Sequence, residues 1–158
     1  MKMTLIAVFG VISLVMLAMG IYEFYMQQRL LANAQPVQVT ITESGIVYSQ
    51  DISTDNNGGV PAPSYSPLVK FTYELGGTPY ESSLLRPLIT GRTYTSHAAA
   101  ANELTPFPVG ARIQAFVNPT YPDKAYLLKE TSRSPVIFMI IGVTVPIFIF
   151  AVIKIAKL

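Results

Sequence analysis

The sequence predicts a membrane protein in which two transmembrane α-helices flank a small, mainly antiparallel β domain, a sandwich or partly open barrel, with one short helix. Two observations predict this: a pair of uncharged apolar runs near the chain ends, and a polar middle built from segments that alternate with period two. The runs "MTLIAVFGVISLVMLAMGI" (3–21) and "PVIFMIIGVTVPIFIFAVI" (135–153) each contain 19 residues without a charge. That length crosses a hydrocarbon core of about 30 Å at a rise of about 1.5 Å per residue. The whole chain, 158 residues with 51% hydrophobic and 13% charged, has half the charge of an ordinary soluble domain. The resulting segments are 1–34, a membrane helix extended out of the bilayer; 35–132, the β domain with a mobile loop at 49–67; and 133–158, the second membrane helix with a basic tail.

The charges follow the same division. Lys2, Lys154 and Lys157 lie outside the apolar runs, while residues 23–133 carry eight Lys or Arg against nine Asp or Glu. A nearly neutral middle gives no concentrated basic surface for phosphate, which argues against nucleic acid as a partner. The absence of cysteine excludes disulfides, thiolate metal sites and thiol nucleophiles together.

In the first segment, Ala32 and Ala34 make a small-x-small pattern of the kind signal peptidase reads. The apolar run exceeds the 7–15 residues of a usual signal core, and Ala34 lies 13 residues beyond Ile21, so an uncleaved anchor is the expected reading. Residues 22–34 then continue the helix out of the bilayer until Pro36 stops it, with Tyr22, Phe24 and Tyr25 at the interface. Two spanning helices put both termini on one side. We expect an integral protein of the bacterial inner membrane with cytoplasmic termini and the β domain outside the cytoplasm. No small residues recur at four-residue spacing in either run, so there is no sequence ground for tight self-association through the helices. Pro146 is a kink position in the second helix.

In the middle, Val37, Val39 and Ile41 alternate with Gln38, Thr40 and Thr42, a half-buried strand. Residues 49–67 are mostly Ser, Asp, Asn, Gly and Pro and read as a mobile loop. Val69, Phe71, Tyr73 and Leu75 make a second alternating strand, and Gly76-Gly77 supplies the positive φ angles of a two-residue hairpin turn. Ser96 is placed to cap a short helix over "HAAAANEL". Ile113, Ala115 and Val117 mark a further strand. Asn118-Pro119 and Pro122-Asp123 form the turns after it, and residues 125–128 are the expected returning strand.

The stretches "VKFTYELGGTPYESS" and "PFPVGARIQAFVNPTYPDKAYL" together with the closing apolar run resemble a bacterial membrane family catalogued as domain of unknown function 3592. The resemblance rests chiefly on Pro108, Val109 and Gly110, on the strand over 112–117 and on the Asn118-Pro119 turn before Leu127. It implies a membrane helix, a strand-rich domain and a second membrane helix, and it brings no catalytic residues. The chain departs from the pattern in its long loop before Pro67 and in Phe116, where tyrosine is expected.

His97 is the only histidine. As a general base it needs an orienting acid and a nucleophile, for which Ser96 and Glu103 are nearest in sequence. The N-cap role accounts for Ser96 without catalysis. One histidine with scattered carboxylates makes no metal site. Asp51, Asp55, Asn56 and Asn57 lack the glutamate that closes a calcium loop, and no nucleophile elbow, phosphate loop or dinucleotide motif occurs. The reading is therefore of no catalytic, cofactor-binding or metal residues, no cofactor and no enzyme. The expected role is a membrane-anchored interaction module, an accessory subunit of an envelope complex or an immunity-type binder. Its partners would be the bilayer and a protein met through the loop at Asp51, Asp55, Asn56, Asn57 and Tyr65. The alternatives are an envelope enzyme assembled from Glu81, Arg86, Arg92 and His97, or a purely structural membrane protein.

Overall fold

In chain order the elements are α1 (Lys2–Leu31), β1 (Gln35–Gln50), β2 (Pro63–Leu75), β3 (Thr78–Ser82), α2 (His97–Leu104), β4 (Arg112–Val117) and α3 (Ser134–Ala156). They come from a computed structural model that describes residues 2–50, 63–88 and 91–156. The chain divides into two units: a helical one of Met1–Arg29 with Thr131–Leu158, and a β unit of Leu30–Glu130.

In the helical unit, α1 and α3 are long and apolar enough to cross a membrane, yet only 17% and 11% of their most apolar windows are buried within the protein. In α1 the polar Ser13, Glu23 and Gln27 are buried together with Met26 and Leu30, whereas Val11, Leu14, Ile21 and Tyr22 are half or more exposed. Buried Ser13 directs its hydroxyl to the Phe9 carbonyl at 2.8 Å, which keeps its donor satisfied within the helix.

The two helices approach closely at two single glycines. A Cβ on Gly20 would stand 2.8 Å from the Pro135 carbonyl oxygen and 2.9 Å from the Met139 backbone nitrogen; one on Gly142 would stand 2.8 Å from the Leu17 Cβ. Each helix thus contributes one glycine against the larger residues of the other. Near the end of α1, the Ser132 backbone N–H donates to Gln27 Oε1 at 3.4 Å, and Arg29 lies over the Tyr25 ring one turn away at 4.3 Å.

Helix α1 ends at Leu31, three residues short of the expected Ala34. Asn33 adopts φ 54°, a left-handed conformation that asparagine tolerates and that ends the helix. Pro36 is already inside β1. Helix α3 continues past Pro146 rather than ending at it.

The β unit is neither a sandwich nor a barrel but one open four-stranded sheet, in the order β3-β2-β1-β4, antiparallel throughout. Val39 and Ile41 of β1, Val69, Phe71 and Tyr73 of β2, and Ala115 and Val117 of β4 point to one face. There they meet Leu104 and Phe107 at the end of α2, and Ala125 and Leu127. Each such large side chain removed from water contributes about 1.5–3 kcal/mol, enough to fix the register, since a slip of one residue would turn the set outward. The β2–β3 turn is as expected: Gly76 and Gly77 have φ of 59° and 83°.

Two expectations fail. Residues 49–50 and 63–67 are strand rather than loop, because β1 and β2 stay paired from Glu43↔Lys70 to Gln50↔Pro63; residues 51–62 lie outside the described residues. Polar composition hid this ribbon, since neither of its faces there carries a continuous apolar row. Residues 125–128 do not form a hairpin strand with β4. Tyr126 makes a single antiparallel bridge to Phe116, with both N···O distances 2.8 Å, and a parallel bridge to Leu84. β4 takes its ladder from β1 instead, and the returning segment divides its backbone bonds between Phe116 and the carbonyls of Leu84 and Leu85.

Candidate functional site

The longest feature of the β unit is the β1–β2 ribbon. Register shifts at Thr42, between Ile41 and Glu43, and such a bulge inserts one extra residue and sharpens the local twist. Beyond it, Glu43 and Lys70 pair at 2.7 Å, and the hydrogen-bonding Glu43 carboxylate holds the exposed Lys70 ammonium above its ordinary pKa. At the far end the Tyr48 and Tyr65 rings lie 5.4 Å apart, and the His97 ring meets Tyr65 edge-on at 5.6 Å. Val47 and Tyr48 remain 48% and 54% exposed, large apolar groups at a position where solvent-facing strands usually carry polar ones.

Of the residues expected to bind a partner, Tyr65 is in β2 rather than in a loop. Its backbone N–H and C=O both bond Tyr94, each at 2.8 Å. Asp51, Asp55, Asn56 and Asn57 lie outside the described residues.

A second feature is a cavity of about 210 Å³ lined by Leu84, Arg86, Leu88, Arg92 and Glu103, among others. Arg86 and Glu103 form an ion pair with side chains only 10% and 7% exposed. The Tyr94 hydroxyl donates to the other oxygen of Glu103, and Arg86 Nε donates to Glu130 at 2.9 Å. Both Glu103 oxygens are therefore occupied, and Arg86 is shared between two carboxylates, a buried arrangement whose geometry fixes each member. Nothing in the sequence announced it, because its members come from a loop, α2, a bridge segment and the end of the unit.

The four polar residues considered for an enzyme are not gathered. Arg86 and Arg92 share this cavity, Glu81 lines another of about 300 Å³ with Lys70, Asp123 and Lys124, and His97 packs on Tyr65. Ser96 does occupy the N-cap of α2, but its side chain makes no capping bond, and the Glu103 carboxylate serves Arg86 and Tyr94 instead of orienting His97. Among the described residues no three His, Asp or Glu come together as metal ligands.

Two tyrosines hold the segment after β4 against the sheet. The Tyr73 hydroxyl donates to the Pro122 carbonyl and accepts the Ala125 N–H; burial raises its pKa above the ordinary value. Burial alone raises that of Tyr126, which is fully buried and has no hydrogen-bond partner for its hydroxyl among the described residues. The Ser82 hydroxyl donates to the Ala125 carbonyl at 2.7 Å. At the following turn Asn118 Oδ1 accepts the Thr120 N–H at 2.9 Å, the local bond expected of that asparagine.

In comparisons with known proteins, the model of the family described as domain of unknown function (DUF3592) matches residues 37–132. No curated protein matches the chain.

Proposed function

The chain belongs to the DUF3592 family, and we propose that it is a membrane-anchored, non-enzymatic interaction module. Helices α1 and α3 anchor it, and the β1–β2 ribbon meets a protein partner, as accessory subunit of an envelope complex or as an immunity-type binder. The supporting observation is the ribbon itself: a paired extension beyond the four-stranded part of the sheet, with Val47 and Tyr48 half-exposed on it. The outward-facing Val11, Leu14 and Ile21 of α1, with Ser13, Glu23 and Gln27 buried, are what a lipid environment favours, since apolar surface there has little to gain by burial. The proposed location is a bacterial inner membrane, with cytoplasmic termini and the β unit outside.

Two experiments test this. Affinity capture of the full chain should retain a partner that Val47→Asp or Tyr48→Asp loses; capture unchanged by either substitution would contradict the interaction role. A cysteine at exposed Thr78, unique in the chain, should react with a membrane-impermeant maleimide on intact cells. Reaction only after lysis would invert the topology.

The cavity at Arg86 and Arg92 supports a second reading, an envelope enzyme with a site built from dispersed residues. Arg92→Ala and His97→Ala leaving cellular phenotype unchanged would remove that support.

A further inference from the structure

The edges of the sheet are not guarded alike. An unpaired strand edge is a template for another chain, and proteins blunt such edges with proline, charge or a covering segment. β3 carries Pro79 and Glu81 on the outer edge. The outer side of β2 beyond β3 carries Pro63, Pro67 and Lys70, and Tyr94 bridges Tyr65 there. β4 begins with Arg112 and is bridged by Tyr126 at Phe116. The upper part of β1, "SGIVYSQ" over residues 44–50, has no proline and no charge.

The hydrogen-bonding direction of this stretch follows from its partners. Tyr48 is paired with Tyr65, and both backbone groups of Tyr65 are used on Tyr94. The pair is therefore of the non-hydrogen-bonded kind, and the Tyr48 N–H and C=O point the opposite way, out of the sheet. By period two, Ser44, Ile46 and Gln50 point out with it. Before the bulge this side of β1 is occupied: Ile41 N–H donates to the Ala111 carbonyl at 3.0 Å and the Ile41 carbonyl accepts Gly110 N–H at 2.8 Å. After it, among the described residues, no backbone group pairs with these four on that side.

We propose that this edge pairs with the same edge of a second copy of the chain, antiparallel about a twofold axis through Val47. This rests on the interaction reading above and names its partner. The register centred on Val47 engages all four outward residues, Ile46 against Tyr48 of the second copy and Ser44 against Gln50, giving about eight ladder hydrogen bonds over about 20 Å. No like charges meet across it, because the stretch has none. Ile46 opposite Tyr48 is a β-branched and aromatic pair, the kind that favours cross-strand contact, and the half-exposed Val47 side chains cover each other. The interface is isologous, which is the commonest closed symmetry.

The test uses the cysteine-free full chain in native membranes and in detergent. Val47 would lie opposite itself in a non-hydrogen-bonded pair, with Cα atoms about 4.5 Å apart, a separation that a disulfide spans. Val47→Cys should convert most of the protein to a disulfide-linked dimer under mild oxidation, at least tenfold more than Gln38→Cys, which is exposed on the paired part of β1. Adding Tyr48→Pro should abolish the dimer, because it removes only an outward N–H and leaves the β1–β2 ladder whole. Gln50→Lys, at an exposed position of the same edge, should do the same by placing charge there with the backbone kept. A Val47→Cys protein that stays monomeric, or a dimer that survives both edge substitutions, would overturn the proposal. If such a monomer captures a different protein, and Tyr48→Pro releases it, the second copy is wrong but the interaction role stands. If no association depends on either substitution, both fail.

Discussion

Replacing Arg86 by methionine keeps much of the side-chain bulk and removes the charge that neutralises Glu103. The Glu103 side chain is 7% exposed, and after the change its carboxylate keeps only the Tyr94 hydroxyl. Breaking one side of a buried pair costs about 3–5 kcal/mol, because an uncompensated charge is left inside. The Glu130 arm adds little: that carboxylate is 56% exposed, and exposed pairs are worth about 0–1 kcal/mol. At about 4–8 °C per kcal/mol for a domain of this size, Arg86→Met should lower the melting temperature by at least 12 °C. The assay is the near-ultraviolet circular dichroism of tyrosine, since the chain has nine tyrosines and no tryptophan. Pairing Arg86→Met with Glu103→Met should restore most of the loss, as no charge then remains buried, while Glu130→Gln alone should shift the melt by less than about 8 °C. A loss below about 1.5 kcal/mol for Arg86→Met, or additive losses in the double variant, would refute the reasoning.

Three further outcomes follow from the same geometry. The raised pKa values of Tyr73 and Tyr126 mean that the unfolded chain releases these protons first. Stability is therefore full below about pH 10 and falls as pH rises through and beyond it, and Tyr73→Phe with Tyr126→Phe should flatten the fall in a pH series of melts. Gly142→Leu should weaken the α1–α3 contact, where even a Cβ meets Leu17 at 2.8 Å; Gly10→Leu, with nothing within 4 Å, should not, and melting of the full chain in micelles distinguishes them. Gly77→Val forces a β-branched residue to φ 83° and should cost about 1–2 kcal/mol in denaturant unfolding, against little change for Gly45→Ala.

The fold was legible where a residue's neighbours in sequence decide its state. Val39 and Ile41, and Val69 through Tyr73, show their alternation directly, Gly76-Gly77 specifies its turn without help, and the apolar runs mark α1 and α3. Legibility ended where distant residues decide. The pairing of residues 43–50 with 63–70 is set by register with β2 and by the edge position that lets Pro63 and Pro67 sit in a strand, not by apolar alternation. The order β3-β2-β1-β4 depends on β1 being long enough to pair with β2 on one side and β4 on the other. Tyr65 reads as loop from its Ser and Pro neighbours, although its backbone is committed to Tyr94. The Arg86, Glu103, Tyr94 and Glu130 cluster joins residues up to 44 positions apart, with no spacing that local reading can detect.

The most direct test of the interaction role is a photo-crosslinking amino acid placed at Tyr48 in growing cells, with one at exposed Glu74 as control. A discrete covalent adduct of higher mass from Tyr48, absent from Glu74, is the outcome expected of a chain that meets a protein through its β1–β2 ribbon. The absence of any adduct from Tyr48, and from Val47 and Gln50 beside it, would contradict that role.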